Sequence, residues 1–209
     1  MKPRIASLAL CLMLTALPAG ADYNNGPING TVDAWTINFG YIVSDTFEPD
    51  ANTVTGFMFG AWEFPGDTLI SQDWTITGME NGGTVYGSGT ASGAHLTDQF
   101  ISLNQYGFNI DKVTVTGLNV AVKANVTYWL NLGNAVVPSG DPVYWDENSG
   151  IGCSSPGCPS MPSENTVGTI PSESFTVNDN NGSTPEPGSV FLFASGILGL
   201  AGVLRRRLF

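Results

Sequence analysis

Apolar and polar residues alternate along much of the chain between residues 22 and 177. The clearest case is residues 35–43, where every second residue is apolar, from Trp35 to Val43. Because successive side chains of a strand point to opposite faces, this pattern predicts a strand with one apolar face. Comparable patterns predict further strands at residues 53–62, 68–77, 84–89, 96–103, 112–122, 126–132 and 175–177.

Turn signals separate these segments and suggest how they pair. Asn81, Gly82 and Gly83 lie between two predicted strands, and Asn-Gly and Gly-Gly steps accept the positive φ angles that tight hairpins need. Short strands at regular spacing, with no internal repeat, are typical of two packed sheets rather than of a propeller or β-helix. The sequence therefore predicts an all-β, antiparallel β-sandwich or jelly-roll-like domain over residues 22–177.

Residues 133–174 follow a different pattern, with six prolines and almost no alternation. A loop of this length is usually functional or disordered, and Tyr144 and Trp145 make it too apolar for plain disorder. We expect it to fold back over an edge or an end of the sandwich. An exposed Tyr144–Trp145 pair could contact a ligand by stacking on sugar rings, whereas the ordinary alternative is that these rings are core.

The two ends of the chain look like targeting segments. Residues 1–21 have a basic head, an apolar core at 5–17 and small residues at Ala19 and Ala21, which predicts a secretory signal peptide cleaved after Ala21. Residues 178–184 are a polar linker, and residues 190–204 form an apolar stretch that predicts one C-terminal hydrophobic helix. This helix is shorter than the roughly 20 residues that a stable transmembrane span prefers.

A short motif, an apolar span and a basic end follow one another over residues 185–209. The residues are Pro185, Glu186 and Pro187, then residues 190–204, then Arg205, Arg206 and Arg207. This order resembles the PEP-CTERM sorting signal of Gram-negative bacteria. The resemblance implies an exosortase partner, transit through the inner membrane, cleavage near the motif, and a final place at the cell surface or outside the cell. Composition alone leaves open a permanent single-span anchor.

Three segments also resemble a recurring domain of uncharacterised PEP-CTERM proteins: residues 24–30, 140–150 and 168–175. That resemblance implies an exported all-β domain and assigns no site to it. The resemblance to proteins with this sorting signal also implies that the protein is a component of exopolysaccharide or biofilm.

Charge narrows the choice of partners. Of the seven basic residues only Lys112 and Lys123 fall within residues 22–184, against 17 of the 18 acidic residues, which gives this stretch a net charge of about −15. Nucleic-acid binding rests on lysine and arginine neutralising phosphates, so nucleic acid is excluded as a partner. An acidic surface favours solubility and attracts cations.

Two short groups of residues could carry chemistry. Cys153 and Cys158, the cysteines that remain after signal cleavage, predict a disulfide across a Pro-Gly turn. Zinc is the weaker alternative because a C-x₄-C pair lacks two further ligands. In the long loop a run of oxygen-bearing side chains could hold calcium, although a solvated acidic loop is the commoner explanation: Asp141, Asp146, Glu147 and Asn148. No other cofactor is expected.

No catalytic constellation stands out. The chain has no Gly-x-Ser-x-Gly elbow and no metal motif with histidine, and its 17 exported acids make any chosen carboxylate pair uninformative. We therefore expect a protein that is not an enzyme, with a structural or adhesive role in exopolysaccharide or biofilm. Two alternatives remain: a hydrolase that acts on polysaccharide, and a surface protein that stays anchored in the membrane.

Overall fold

The computed structural model describes residues 22–148 and 161–179, which fall in one compact unit. Their elements are β-strands and one short 3-10 helix, at Gly93–His95. The first seven strands are β1 (Tyr23–Asn24), β2 (Ala34–Thr36), β3 (Ile42–Phe47), β4 (Thr53–Glu63), β5 (Ser71–Met79), β6 (Gly82–Ser92) and β7 (Leu96–Leu103). The other seven are β8 (Asn109–Val115), β9 (Val120–Ala121), β10 (Tyr128–Val136), β11 (Tyr144–Asp146), β12 (Ser163–Glu164), β13 (Gly168–Thr169) and β14 (Phe175–Asp179).

The first sheet is built around β4, its longest strand. On one side β4 pairs with β8 and β9, and β7 extends this side by pairing with β8. On the other side β4 pairs with β14 and β11, and β11 pairs in turn with β2. β1 completes the sheet by pairing with β14. All of these pairings are antiparallel. Several of them, such as β1 with β14, join strands that lie far apart in the sequence.

The second sheet has the strand order β13-β12-β3-β10-β5-β6 and is also antiparallel. The predicted hairpin joins β5 to β6, and Asn81 and Gly83 adopt positive φ angles of 45° and 74° there. This confirms the conformation for which Asn-Gly and Gly-Gly steps are favoured.

The apolar faces of the two sheets share one hydrophobic core. Phe57 and Phe59 of the first sheet belong to the same buried cluster as Trp74, Leu130 and Leu132 of the second. The rings of Phe57 and Trp74 meet edge to face with 6.3 Å between centroids, an arrangement that aromatic pairs prefer. The all-β, antiparallel prediction is confirmed, and the shared core fits a sandwich.

One predicted strand is wrong. Residues 35–43 do not form a single strand, because the chain turns between β2 and β3, where Phe39 and Gly40 adopt positive φ angles of 56° and 87°. Phe39 is consequently 63% exposed and Tyr41 is also exposed, although both belong to the predicted apolar face. The alternation there is a coincidence of composition on either side of a turn. The predicted strand at 112–122 is likewise divided into β8 and β9.

The long segment at residues 133–174 contains more strand than its composition predicts. β10 continues to Val136, and β11 is inserted into the first sheet between β4 and β2. β12 and β13 extend the edge of the second sheet next to β3. The segment therefore folds back onto the sandwich as expected, but as part of its sheets. β14 also runs to Asp179, two residues into the predicted linker.

Candidate functional site

Three carboxylates from adjacent strands of the first sheet converge on its inner face. We call Glu63 of β4, Asp98 of β7 and Asp111 of β8 the acid cluster. Ala61 pairs with Asp111, and Asp98 pairs with Val113, so Asp111 lies diagonally next to both of the other acids. Because side chains alternate along a strand, Glu63 and Asp111 share the side of the sheet that carries Ala61 and Val113, which are core residues.

Each of the three side chains offers one carboxylate oxygen, and these three oxygens lie within 4.8 Å of one another. Glu63 is 0% exposed and Asp111 is 4% exposed. Among the described residues, no N–H or hydroxyl group donates to either oxygen of Glu63, to Oδ1 of Asp98 or to Oδ2 of Asp111, although a proton on Glu63 can bridge it to Asp98. The remaining oxygen of Asp98 accepts a hydrogen bond of 2.8 Å from the backbone N–H of Leu69. Buried polar atoms are almost always paired, so four oxygens in one place that lack such a donor are unusual.

The acid cluster is electrostatically unfavourable without a counter-charge. Burial raises the pKa of Glu63 to about 9, and the neighbouring charges of Asp98, Asp111 and Asp67 contribute to the rise. Burial, followed by the charge of Asp98, raises the pKa of Asp111 to about 6. Lys112 is adjacent in sequence, but the alternation of β8 directs it to the opposite face of the sheet.

A surface pocket gives access to this cluster. Its volume is about 320 Å³. The lining residues are Gly66, Asp67, Thr68, Asp98, Phe100, Asn109 and Asp111. Close carboxylates with raised pKa values can either share protons or hold a cation. Glu63 is wholly buried and does not line the pocket, so it cannot contact a polymer as an acid catalyst would.

Residues 141–148 do not form a solvated acidic loop, and Asp146 is not free to bind calcium. Both oxygens of Asp146 are occupied by donors. Its Oδ1 accepts hydrogen bonds from the N–H of Gly30 (2.9 Å) and from Nε1 of Trp62 (2.6 Å). Its Oδ2 accepts hydrogen bonds from the N–H of Asn29 (2.9 Å) and from the hydroxyl of Ser174 (3.1 Å). Asp146 is therefore a buried structural anion that holds the segment before β2 against the sheet.

The three segments that resemble the recurring exported domain meet around this anion. The side-chain amide of Asn25 donates to the carbonyl of Glu173 at 2.7 Å and to Asp45 at 3.0 Å. The amide of Asn148 donates to the backbone carbonyls of Asn25 and Glu173. Side chains from residues 24–30, 140–148 and 168–175 thus meet in one buried group that we call the polar cluster: Asn25, Asp146, Glu147, Asn148 and Glu173.

The remaining acids of the polar cluster differ in how they are satisfied. Oε1 of Glu147 accepts a hydrogen bond of 2.6 Å from Nε1 of Trp35. Glu173 is wholly buried, and neither of its oxygens has a hydrogen-bond partner among the described residues. Burial raises the pKa of Glu173 well above its usual value, and the charges of Asp45 and Glu147 add to the rise.

The prediction that Trp145 is an exposed ligand contact is wrong. Because β11 is inserted into the sheet, Trp145 faces the core and is 0% exposed. Its ring packs edge to face on Phe59 and Phe175, and its Nε1 donates a hydrogen bond of 3.0 Å to the carbonyl of Ser174. Tyr144 points to the other face and remains half-exposed. Of the two predicted contact residues, only Tyr144 can reach a ligand.

Tyr144 belongs to a group of aromatic rings that we call the aromatic patch: Trp62, Phe64, Tyr106, Phe108 and Tyr144. Tyr106 stacks on Trp62 at 5.8 Å and is 58% exposed. Phe108 contacts three of the others, at 5.8 Å from Trp62, 4.8 Å from Phe64 and 5.6 Å from Tyr144. Sequence inspection identified Tyr144 as an aromatic candidate, but it did not associate Tyr144 with the rings of residues 106 and 108.

Several predicted features lie outside the described residues. They are the signal cleavage site at Ala19 and Ala21, the disulfide of Cys153 and Cys158, and the sorting residues Pro185, Glu186, Pro187, Arg205, Arg206 and Arg207. Within residues 22–148 and 161–179, no helix has the length and apolar character needed to cross a membrane.

The family described as the PEP-CTERM protein-sorting motif matches residues 183–207. Neither curated proteins nor solved structures give a match.

Proposed function

The chain carries a PEP-CTERM sorting motif and is an exported protein sorted by an exosortase, and we propose that its sandwich is an adhesive or structural component of exopolysaccharide or biofilm. The motif identifies the route of the protein. The function of the exported part must be inferred from the surface that it presents at the end of this route.

The aromatic patch is the observation that carries the proposal. Exposed aromatic rings on a rigid support bind the apolar faces of sugars, because they combine a large contact area with little loss of conformational entropy. Tyr106 is the outermost ring, and Trp62 beneath it belongs to the central strand of the first sheet. The net charge of about −15 over residues 22–184 favours a neutral or cation-bridged polymer over a free anionic one.

Co-sedimentation with exopolysaccharide from the producing bacterium tests this proposal. We expect saturable binding without release of reducing ends, and we expect Tyr106→Ala to weaken the binding about tenfold, equivalent to one lost stacking contact of about 1.4 kcal/mol. Tyr41→Ala is the matched control because Tyr41 is exposed outside the patch. Absence of binding, or equal binding by both variants, would contradict the adhesive role of the patch.

A second candidate function is hydrolysis of the polysaccharide. The observation in its favour is the acid cluster, whose raised pKa values suit a general acid. The burial of Glu63 opposes it, since an acid catalyst must touch the scissile oxygen. Reducing ends that accumulate with the wild type and disappear with Asp98→Asn would favour the hydrolase over the adhesive protein.

The mass of the native protein distinguishes the third alternative, a permanent membrane anchor, from sorting with cleavage. Sorting with cleavage predicts a mature chain that ends near Pro187. Retention of residues 205–209 in the native protein would instead support a permanent anchor.

A further inference from the structure

We propose that the acid cluster of Glu63, Asp98 and Asp111 is a calcium site that ties edge strand β7 to the centre of the first sheet. The site is separate from residues 141–148, where the sequence suggested calcium. It also does not depend on the proposed adhesive function, because it rests on a different group of side chains.

The spacing of the oxygens suits a calcium ion. Calcium binds oxygen ligands at 2.3–2.6 Å, so two ligands of one ion can be no more than about 5 Å apart. Glu63, Asp98 and Asp111 each offer one oxygen, and these three oxygens lie within 4.8 Å of one another. Because one oxygen of Asp98 accepts the N–H of Leu69, the three carboxylates can supply up to five oxygens, and the adjoining pocket leaves room for water to complete a coordination shell of about six to eight.

An independent observation points to a ligand in this cluster. Glu63 is wholly buried and directed towards Asp98 and Asp111, and within the described residues its oxygens have no hydrogen-bonding contact outside the carboxyl group of Asp98. Isolating a carboxylate from water without a partner is costly, and a nearby carboxylate increases the cost. A single shared proton can bridge two of the three side chains, whereas a divalent cation satisfies all three.

The chemistry of the ligands selects the metal. The cluster contains only carboxylates, which are hard oxygen donors, and zinc and copper sites prefer nitrogen or sulfur. Magnesium requires a near-ideal octahedron and retains most of its water. Side chains from three separate strands and a buried glutamate fit the more variable geometry of calcium.

The position of the site indicates what the ion does. Asp98 contributes one oxygen to the cluster, and its other oxygen accepts the N–H of Leu69, which precedes β5 of the second sheet. Within the described residues β7 has one strand partner, β8, and lies at the edge of the sheet. A bound ion would link β7 to β4 across β8 and would brace this edge against the second sheet.

Calorimetric titration of the exported protein, produced from its full-length chain, tests the proposal with calcium chloride as the probe. We expect one calcium ion per chain and a higher melting temperature in calcium than in chelator. Glu63→Gln and Asp98→Asn should each weaken calcium binding by about tenfold or more, since even outer-shell changes can cost tenfold. Asp98→Asn keeps an oxygen that accepts the N–H of Leu69. It therefore tests the site even if Glu63→Gln fails to fold.

Glu173→Gln is the matched control, because it removes another wholly buried glutamate, outside the cluster. It should leave calcium affinity unchanged. No heat of binding together with equal melting temperatures in calcium and chelator would overturn the proposal. Loss of calcium binding in Glu173→Gln with retention in Asp98→Asn would also overturn it, and tighter binding of magnesium than of calcium would overturn the choice of metal.

Discussion

Replacing Glu173 by glutamine is expected to stabilise the protein, and increasingly so as the pH rises. Glu173 is wholly buried, and within residues 22–148 and 161–179 its oxygens have no hydrogen-bond partner. Burial, followed by the charges of Asp45, Glu147, Asp146 and Asp33, raises its pKa well above the usual value of 4.5. The folded chain therefore keeps a proton on Glu173 at pH values where the unfolded chain has lost it.

The sign and the size of the effect follow from this difference in proton binding. A group whose pKa is raised by folding contributes stability that is complete below its unfolded pKa and is lost as the pH rises towards the folded value. One proton held only by the folded chain changes the free energy of unfolding by about 1.4 kcal/mol per pH unit. Over each pH unit between the unfolded pKa and the raised folded pKa, the wild type should therefore lose up to about 1.4 kcal/mol relative to Glu173→Gln.

Urea denaturation followed by tryptophan fluorescence at pH 5, 6, 7 and 8, at one calcium concentration, measures this difference. Glu80→Gln is the control, because Glu80 is an exposed glutamate at the turn between β5 and β6. A stability difference between Glu173→Gln and wild type that stays constant over this pH range would show that Glu173 ionises normally in the folded protein. Such a result would refute the link between the burial of Glu173 and its proton.

Two further substitutions test how the polar cluster and the segment before β2 are held. Asp146→Ala should lower the free energy of unfolding by about 3 kcal/mol or more, because it removes the acceptor of four hydrogen bonds, whereas Asp141→Ala should change it by less than about 0.5 kcal/mol in the same denaturation assay. Gly30→Ala should destabilise by about 1–3 kcal/mol more than Gly40→Ala. Both glycines have positive φ, but an added Cβ at Gly30 would lie 2.5 Å from Cγ1 of Ile110, and none of the atoms around Gly40 is within 4 Å. Equal costs for the two glycine variants would rule out the steric part of this argument.

The sequence predicted strands well where one face is buried and the other is solvated. β7 begins and ends at the predicted residues, 96 and 103, and the predicted strand at 68–77 contains Trp74 and Ile76, which face the core from β5. The prediction failed at residues 35–43, because the alternation continues across a turn at Phe39 and Gly40. The pattern depends only on residue types, so it does not reveal that Phe39 and Gly40 are not in an extended conformation.

Trp145 shows a different limit. Its surroundings are rich in proline and lack alternation, so composition favours a loop, yet a strand of three residues is enough to place its ring in the core. Short strands such as β11 owe their existence to the partners on both sides. Those partners are contributed by β2 and β4, about 80–110 residues earlier in the chain.

The acid cluster could be recognised only after the strands had been paired. Its members are separated by 35 and 13 residues, a spacing that matches no known metal motif. One signal was present in the sequence: Glu63 and Asp111 occupy positions where the alternation of their strands requires an apolar residue. An acidic residue at a strand position that should face the core is therefore a useful sign of a functional site, even when no motif surrounds it.

The pairing of β1 with β14 links the folding of this domain to its passage out of the cell. Tyr23 lies opposite Val177, so the first and last strands are neighbours, which gives the fold a high contact order. A chain exported with its N-terminus first delivers β1 long before β14. The first sheet closes only after residue 179 has emerged, and the sorting motif begins at residue 183. The sheet is therefore completed at almost the same time as the motif arrives at the membrane. A chain that stalls earlier lacks β14 and leaves an edge of β4 unpaired and open to aggregation.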